Sequence, residues 1–165
     1  MVTSSGQFAP GRARLAALAV LCGLALAVPA PAGAQSAIGF VGGGSIDPEQ
    51  FYGGVFWATP PIGGRFRIRP GIDGGFGDGV NLATINFDIN VSFPLGQSGW
   101  ELIQGGGPTV AITRFPDFPE YDETSAGFSY VFGFAHDSGF ITEFRVGSGP
   151  VPGLKFGVGY QVVLR

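Results

Sequence analysis

The sequence predicts an all-β protein: eight antiparallel strands closed into an up-and-down barrel, preceded by a cleavable signal peptide. Three observations carry this prediction. Apolar residues alternate with small or polar ones at period two along most of the chain, and no long 3.6-residue apolar period follows the leader. Thirty glycines and thirteen prolines rule out a helical bundle. Charged residues make up only 13% of the chain, against about 25% in soluble domains, so something other than a charged coat must cover the molecule.

The front end reads as a leader, residues 1–34. Arg12 and Arg14 precede the apolar run Leu15 to Val28, which is followed by Pro29, Pro31 and the small-residue site Ala32-Gly33-Ala34. Basic, apolar and A-x-A segments in that order form a secretory signal peptide. The run is shorter than the roughly 20 residues a membrane span needs. The domain is therefore expected over 35–165. The single cysteine, Cys22, lies inside the leader, and Leu21 before it argues against a lipid anchor. A mature chain without thiols has no disulfide, no thiolate metal site and no cysteine nucleophile. It would keep seven basic and twelve acidic residues, a formal charge of −5, which disfavours a nucleic-acid partner.

Turn-forming clusters divide the rest into eight strands. The first, 37–44, leads into "SIDPE", and the second, 50–59, into "TPPIGG". The third and fourth, 64–77 and 80–95, flank "GDG". A type I′ turn at Asp78-Gly79 would set Arg69 opposite Asp88 and Arg67 opposite Asn90. The fourth, "LATINFDINVSFPL", places Ala83, Ile85, Phe87, Ile89, Val91 and Phe93 on one face against Thr84, Asn86, Asp88, Asn90 and Ser92 on the other. The fifth, 99–114, lies between "PLGQSG" and "FPDFPEYDE". The sixth, 124–136, contains "AGFSYVFGFAH", with Phe128, Tyr130, Phe132 and Phe134 on one parity. A three-residue loop after it would pair His136 with Phe140 and start the seventh strand, 140–148. After "SGPVPG" comes the eighth, 153–164, "LKFGVGYQVVL". Short connections make neighbours antiparallel, and closure leaves no exposed edge.

Composition decides which face points out. A water-facing exterior should be rich in Lys, Glu and Thr, but the minority face is mostly Gly, Ser, Asn and Ala, and the chain has one lysine. The interior of eight strands is narrow and filled by side chains, so it cannot hold the bulky set from every strand. That set must face outward, a hazard in water and the required surface in lipid. An even strand number puts both termini on one side, the periplasm. Trp57 and Trp100, at strand ends beside the turns on that side, are placed for an interfacial aromatic belt. The longest outward loop, 115–123, carries Asp117, Glu120, Asp122 and Glu123 and is a candidate for extracellular contacts.

A signal peptide, eight alternating strands and a final strand containing "GVGYQ" resemble the small outer-membrane β-barrel family typified by OmpA and OmpX. The likeness covers the mature chain but is architectural. It implies the outer membrane of a Gram-negative-type bacterium, with outer-membrane lipid and the insertion machinery as partners, and no cofactor. Members usually end on an aromatic residue, whereas this chain ends Val163-Leu164-Arg165.

Several constellations invite chemistry. The charged residues expected in the lumen are Arg65, Arg67, Arg69, Asp73, Asp88, Glu101, Glu143 and Arg145. They could line a gated pore or polar pocket, or form a structural ion-pair network that plugs the bore and neutralises its own charges. The second reading is preferred, with Arg69–Asp88 as the favoured pair. The only histidine stands in His136-Asp137-Ser138. A His two residues from a Ser resembles the lipid A deacylase barrels, but Gly139 replaces their Asn and the tripeptide falls in a periplasmic turn. No catalytic residue is therefore assigned. "VGGG" (41–44) and "GGFGDG" (74–79) open no helix, as phosphate cradles do, and no metal site is expected. A structural or surface-contact role is preferred over a soluble periplasmic barrel with an apolar ligand, and over a lipid-modifying enzyme.

Overall fold

The structure is a computed structural model and describes residues 35–77, 79–149 and 151–164. The expected signal peptide, 1–34, lies outside the described residues. Eight strands follow one another: β1 Ala37–Ile46, β2 Gln50–Ala58, β3 Phe66–Gly77, β4 Val80–Pro94, β5 Trp100–Arg114, β6 Glu123–His136, β7 Phe140–Ser148 and β8 Leu154–Val163. Each pairs antiparallel with the next, and β8 pairs with β1 to close the barrel.

Turn chemistry fixes the registers. Gly79, at φ 67, belongs to the tight turn that pairs Gly77 with Val80 and sets Arg69 opposite Asp88 and Arg67 opposite Asn90. Gly139, at φ 98, donates its N–H to the His136 carbonyl at 2.8 Å and delivers β7 with Ile141 opposite Ala135. Strand β3 starts two residues later than its sequence suggests, because Gly63 and Gly64 both take left-handed φ and Phe66 turns back onto Ile62. In loop 115–122, a single 3₁₀ turn at Pro119–Tyr121 interrupts what the sequence presents as plain loop.

Most of the bulky residues on the strands look outward. On β6, Phe128 is 53% and Tyr130 44% exposed, whereas Ser129 and Val131, which alternate with them, are each 1% exposed. Phe156 on β8 points out beside buried Lys155 and Gly157, and Phe87 and Phe132 keep the outward parity of Ile89 and Tyr130. Two aromatics depart from this rule, since β2 turns Tyr52 and Phe56 into the bore. Glycines opposite make room for them: a Cβ on Gly39 would overlap the Phe56 ring, and one on Gly157 would overlap the Tyr52 hydroxyl.

The bore is layered. Near the end that carries Ser36 and Leu164, Phe56 packs with Ala37, Ala58, Ala135 and Ile141. Near the opposite end, Leu82, Ala111 and Val151 form a second apolar cluster. Val151 comes from the loop after β7 and fills the space beside Gly127 and Gly147. Between the two clusters lie the charged side chains.

Candidate functional site: the charged core of the barrel

Because β3, β4, β7 and β8 turn their inward parity to one narrow bore, six charged side chains converge there. Arg69, Asp73, Asp88, Glu143, Arg145 and Lys155 are all buried. Three cations meet three anions. A charge left unpaired in such a place is costly, and each finds a partner.

Arg145 on β7 grips Asp88 on β4 with two hydrogen bonds, Nη1 to Oδ1 at 3.0 Å and Nη2 to Oδ2 at 2.7 Å. The parallel two-point geometry is the strongest form of a guanidinium–carboxylate contact. Arg145 Nη1 also donates to Ser129 Oγ at 2.8 Å. Toward the loop end, Asp73 accepts from Lys155 Nζ at 2.5 Å, Thr84 Oγ1 at 2.9 Å and Asn86 Nδ2 at 2.7 Å. Thr109 Oγ1 donates to Asn86 Oδ1 at 3.0 Å and lies 2.9 Å from Ser129 Oγ. Toward the terminal end, Arg69 Nη2 binds Glu143 Oε2 at 2.5 Å, while Glu143 Oε1 stands 3.9 Å from Arg145. The Arg69 guanidinium lies 3.7 Å from the centroid of the Phe56 ring, a cation–π contact.

The expected Arg69–Asp88 ion pair is not made. The two residues are opposite each other in the ladder, but Asp88 is held by Arg145 and Arg69 by Glu143. In a bore this narrow, long side chains reach across it as easily as to the next strand, and the two-point grip on Asp88 outcompetes the neighbour. Arg67 and Glu101 are only half-buried, at the terminal end. Arg67 Nη1 donates to the Thr59 carbonyl at 3.1 Å and more weakly to that of Gln35 at 3.4 Å, and Glu101 makes no ion pair among the described residues. Arg65, expected inside, is exposed in the turn before β3. Lys155 was the residue missed. Its inward parity was readable from the alternation of the last strand, but a lone lysine among glycines gave no sign of a partner.

The bore has little space left. Voids of about 50 Å³ beside Arg69 and Asn90 and about 10 Å³ beside Asp73 and Arg145 remain. Larger hollows open at the mouths, about 430 Å³ at the terminal end and about 330 Å³ around Val151 and Pro152.

The other candidates sit at the ends. Trp100 packs on His136 with ring centroids 4.8 Å apart and edge-on to Phe140 at 6.2 Å. Trp57, opposite Ile38, is half-buried on the outer parity at the same end. His136 Nδ1 accepts the Ser138 N–H at 3.1 Å and lies 2.8 Å from Ser138 Oγ, so this pair closes its own turn. In loop 115–122, Asp122 accepts from Arg114 at 2.6 Å and from the Phe115 N–H at 2.9 Å. The Phe115 amide, then the Arg114 guanidinium, hold its carboxyl below the ordinary value of 3.8. No group of three metal-ligating side chains occurs among the described residues. The 41–44 glycines lie in β1, and those of 74–79 run from β3 into the turn after it.

No protein-family model matches the sequence, and no curated protein matches it. Solved structures do. The N-terminal β-barrel domain of Pseudomonas aeruginosa OprF superimposes with a TM-score of 0.57 at 8% identity, over 79% of this chain and 97% of that one. Neisserial surface protein A superimposes with a TM-score of 0.56 at 12% identity, over 78% and 94%. The matched share of both chains, the unbroken strand order and the outward bulky face together identify the fold as that of the small eight-stranded outer-membrane β-barrels.

Proposed function

We propose that this protein is a small integral outer-membrane protein of a Gram-negative-type bacterium, with a lumen closed by ion pairs and a structural or surface-contact role. The observation that carries the reading is the outer wall. Phe40, Phe51, Ile72, Ile89, Phe128 and Phe156, spread over six strands, are all more than two-fifths exposed. In water such a surface would drive aggregation, whereas hydrocarbon is its natural solvent, and a closed ladder leaves no backbone group unpaired there. The fold shared with OprF's barrel domain and neisserial surface protein A supports the same reading.

The charged core supports a plug rather than a pore. Its six charges cancel pairwise, and the voids among them are too small to join the two mouths. Among the described residues the charged core brings together cations and carboxylates that neutralise one another rather than a nucleophile with a base, which favours a role outside catalysis. Outer-membrane lipid and the insertion machinery are the partners this reading requires. Loop 115–122, with Phe118 and Tyr121 exposed beside exposed Asp117 and Glu120, is the surface offered to the outside.

Fractionation tests the reading. The protein should partition with outer membranes, need detergent for extraction, and migrate faster on a gel unheated than boiled. Recovery in the soluble fraction without detergent would overturn it.

A further inference from the structure

Two of the hollows share walls. The 50 Å³ cavity in the bore and the 430 Å³ mouth at the terminal end are both lined by Arg67, Glu101 and Gln161. Together they form a well that opens at that end. Its inner wall includes the Arg69–Glu143 pair, and the next void, beside Asp88 and Arg145, is only about 10 Å³.

The inner well has unmet hydrogen-bonding capacity. Among the described residues, Arg69 Nε and Asn90 Oδ1 are buried without a hydrogen-bond partner, on side chains that line the cavity and are only 7% and 4% exposed. One is a donor and the other an acceptor. Buried groups of this kind are rarely left unsatisfied. Above them, Glu101 makes no ion pair within 4 Å among the described residues, and Arg67 hydrogen-bonds the Thr59 and Gln35 carbonyls. Phe56, Ala58, Ile103 and Ile141 complete the wall with apolar surface, the mixture expected of a small-molecule site.

Charge and size narrow the occupant. Arg67 and Arg69 face Glu101 and Glu143, so the well is neutral overall and favours neither a simple anion nor a simple cation. A water needs roughly 10–15 Å³ of such space, so 50 Å³ accepts about four atoms of water size. The geometry points to a binding site for a small zwitterion of the α-amino-acid class. Its carboxylate meets Arg69 Nε and Arg67, its ammonium meets Asn90 Oδ1 and Glu101, and any side chain projects into the mouth.

The test uses the full chain in detergent micelles, with glycine as the probe and acetate and methylammonium as single-charge controls. Glycine should move the Arg69 Nε–H resonance saturably, with a dissociation constant in the millimolar range or tighter. Each control should bind at least about tenfold more weakly, since one charge-assisted contact is missing. Glu101→Gln should weaken glycine by a similar factor while keeping the heat-modifiable gel band. An Arg69 signal indifferent to glycine would mean that water alone fills the well, and equal affinity for acetate would make it an anion site. Either result overturns the assignment, as would a folded Glu101→Gln protein with unchanged affinity. Should that variant fail to fold, the comparison of the three probes on the native chain decides.

Discussion

Asp88 shows how one buried carboxylate can organise a bore. It is 1% exposed, and both oxygens are occupied by Arg145. Asp88→Ala would leave the guanidinium buried with Ser129 and a distant Glu143, and removing one partner of a buried pair costs about 3–5 kcal/mol. A loss of that order is expected in urea unfolding from lipid vesicles. The double variant Asp88→Leu/Arg145→Met should recover much of it, because no orphan charge remains. At the surface, Asp122 gives a pH signature. Its carboxyl is a stronger acid in the folded loop than in the unfolded chain, so its tie to Arg114 and Phe115 is fully present at neutral pH. The tie is lost as pH falls through the depressed folded value. The Phe115 amide resonance should titrate in that acid range, and Asp122→Asn should abolish the titration.

At the scale of the strand, parity is the governing variable. Ile89 on β4 is 56% exposed, whereas Asn90 beside it is 4% exposed. Ile89→Arg should therefore destabilise the membrane-inserted barrel by about 2–4 kcal/mol if it lies near the bilayer midplane, measured by denaturant titration in vesicles. Parity is also what made the sequence legible. The alternation in 82–95 and 126–136 sorted Phe87 from Asp88 and Phe132 from Val131, and Asp78-Gly79 set the β3–β4 register to the residue. Partner choice was not legible, because alternation gives the face of a residue and not its bearing around the axis. Arg69 and Glu143 are 74 residues apart and meet only because the sheet closes. The inward turn of Tyr52 and Phe56 was hidden for a related reason. β2 carries aromatics on both parities, and the space they occupy is created by Gly39 on β1 and Gly157 on β8.

For the whole molecule, the charged layer and the two apolar clusters act in series along the axis. A solute leaving the terminal-end mouth meets Arg69–Glu143, then Asp88–Arg145, then Asp73–Lys155, and finally Leu82, Ala111 and Val151. Reconstituted into planar bilayers, the protein should give no discrete conductance steps. Regular unitary openings would contradict a plugged bore.

The pairing of β8 with β1 has a further consequence for assembly. It joins Ala37 to Val163 and Ile46 to Leu154, so the seam of the hoop is made by segments more than a hundred residues apart in the chain. Every partial assembly must carry two raw edges until that final joint is made, and contacts so distant in sequence are slow to form. Deleting the last strand should therefore yield no seven-strand remnant of reduced stability, but a chain that fails to mature and is degraded or aggregates.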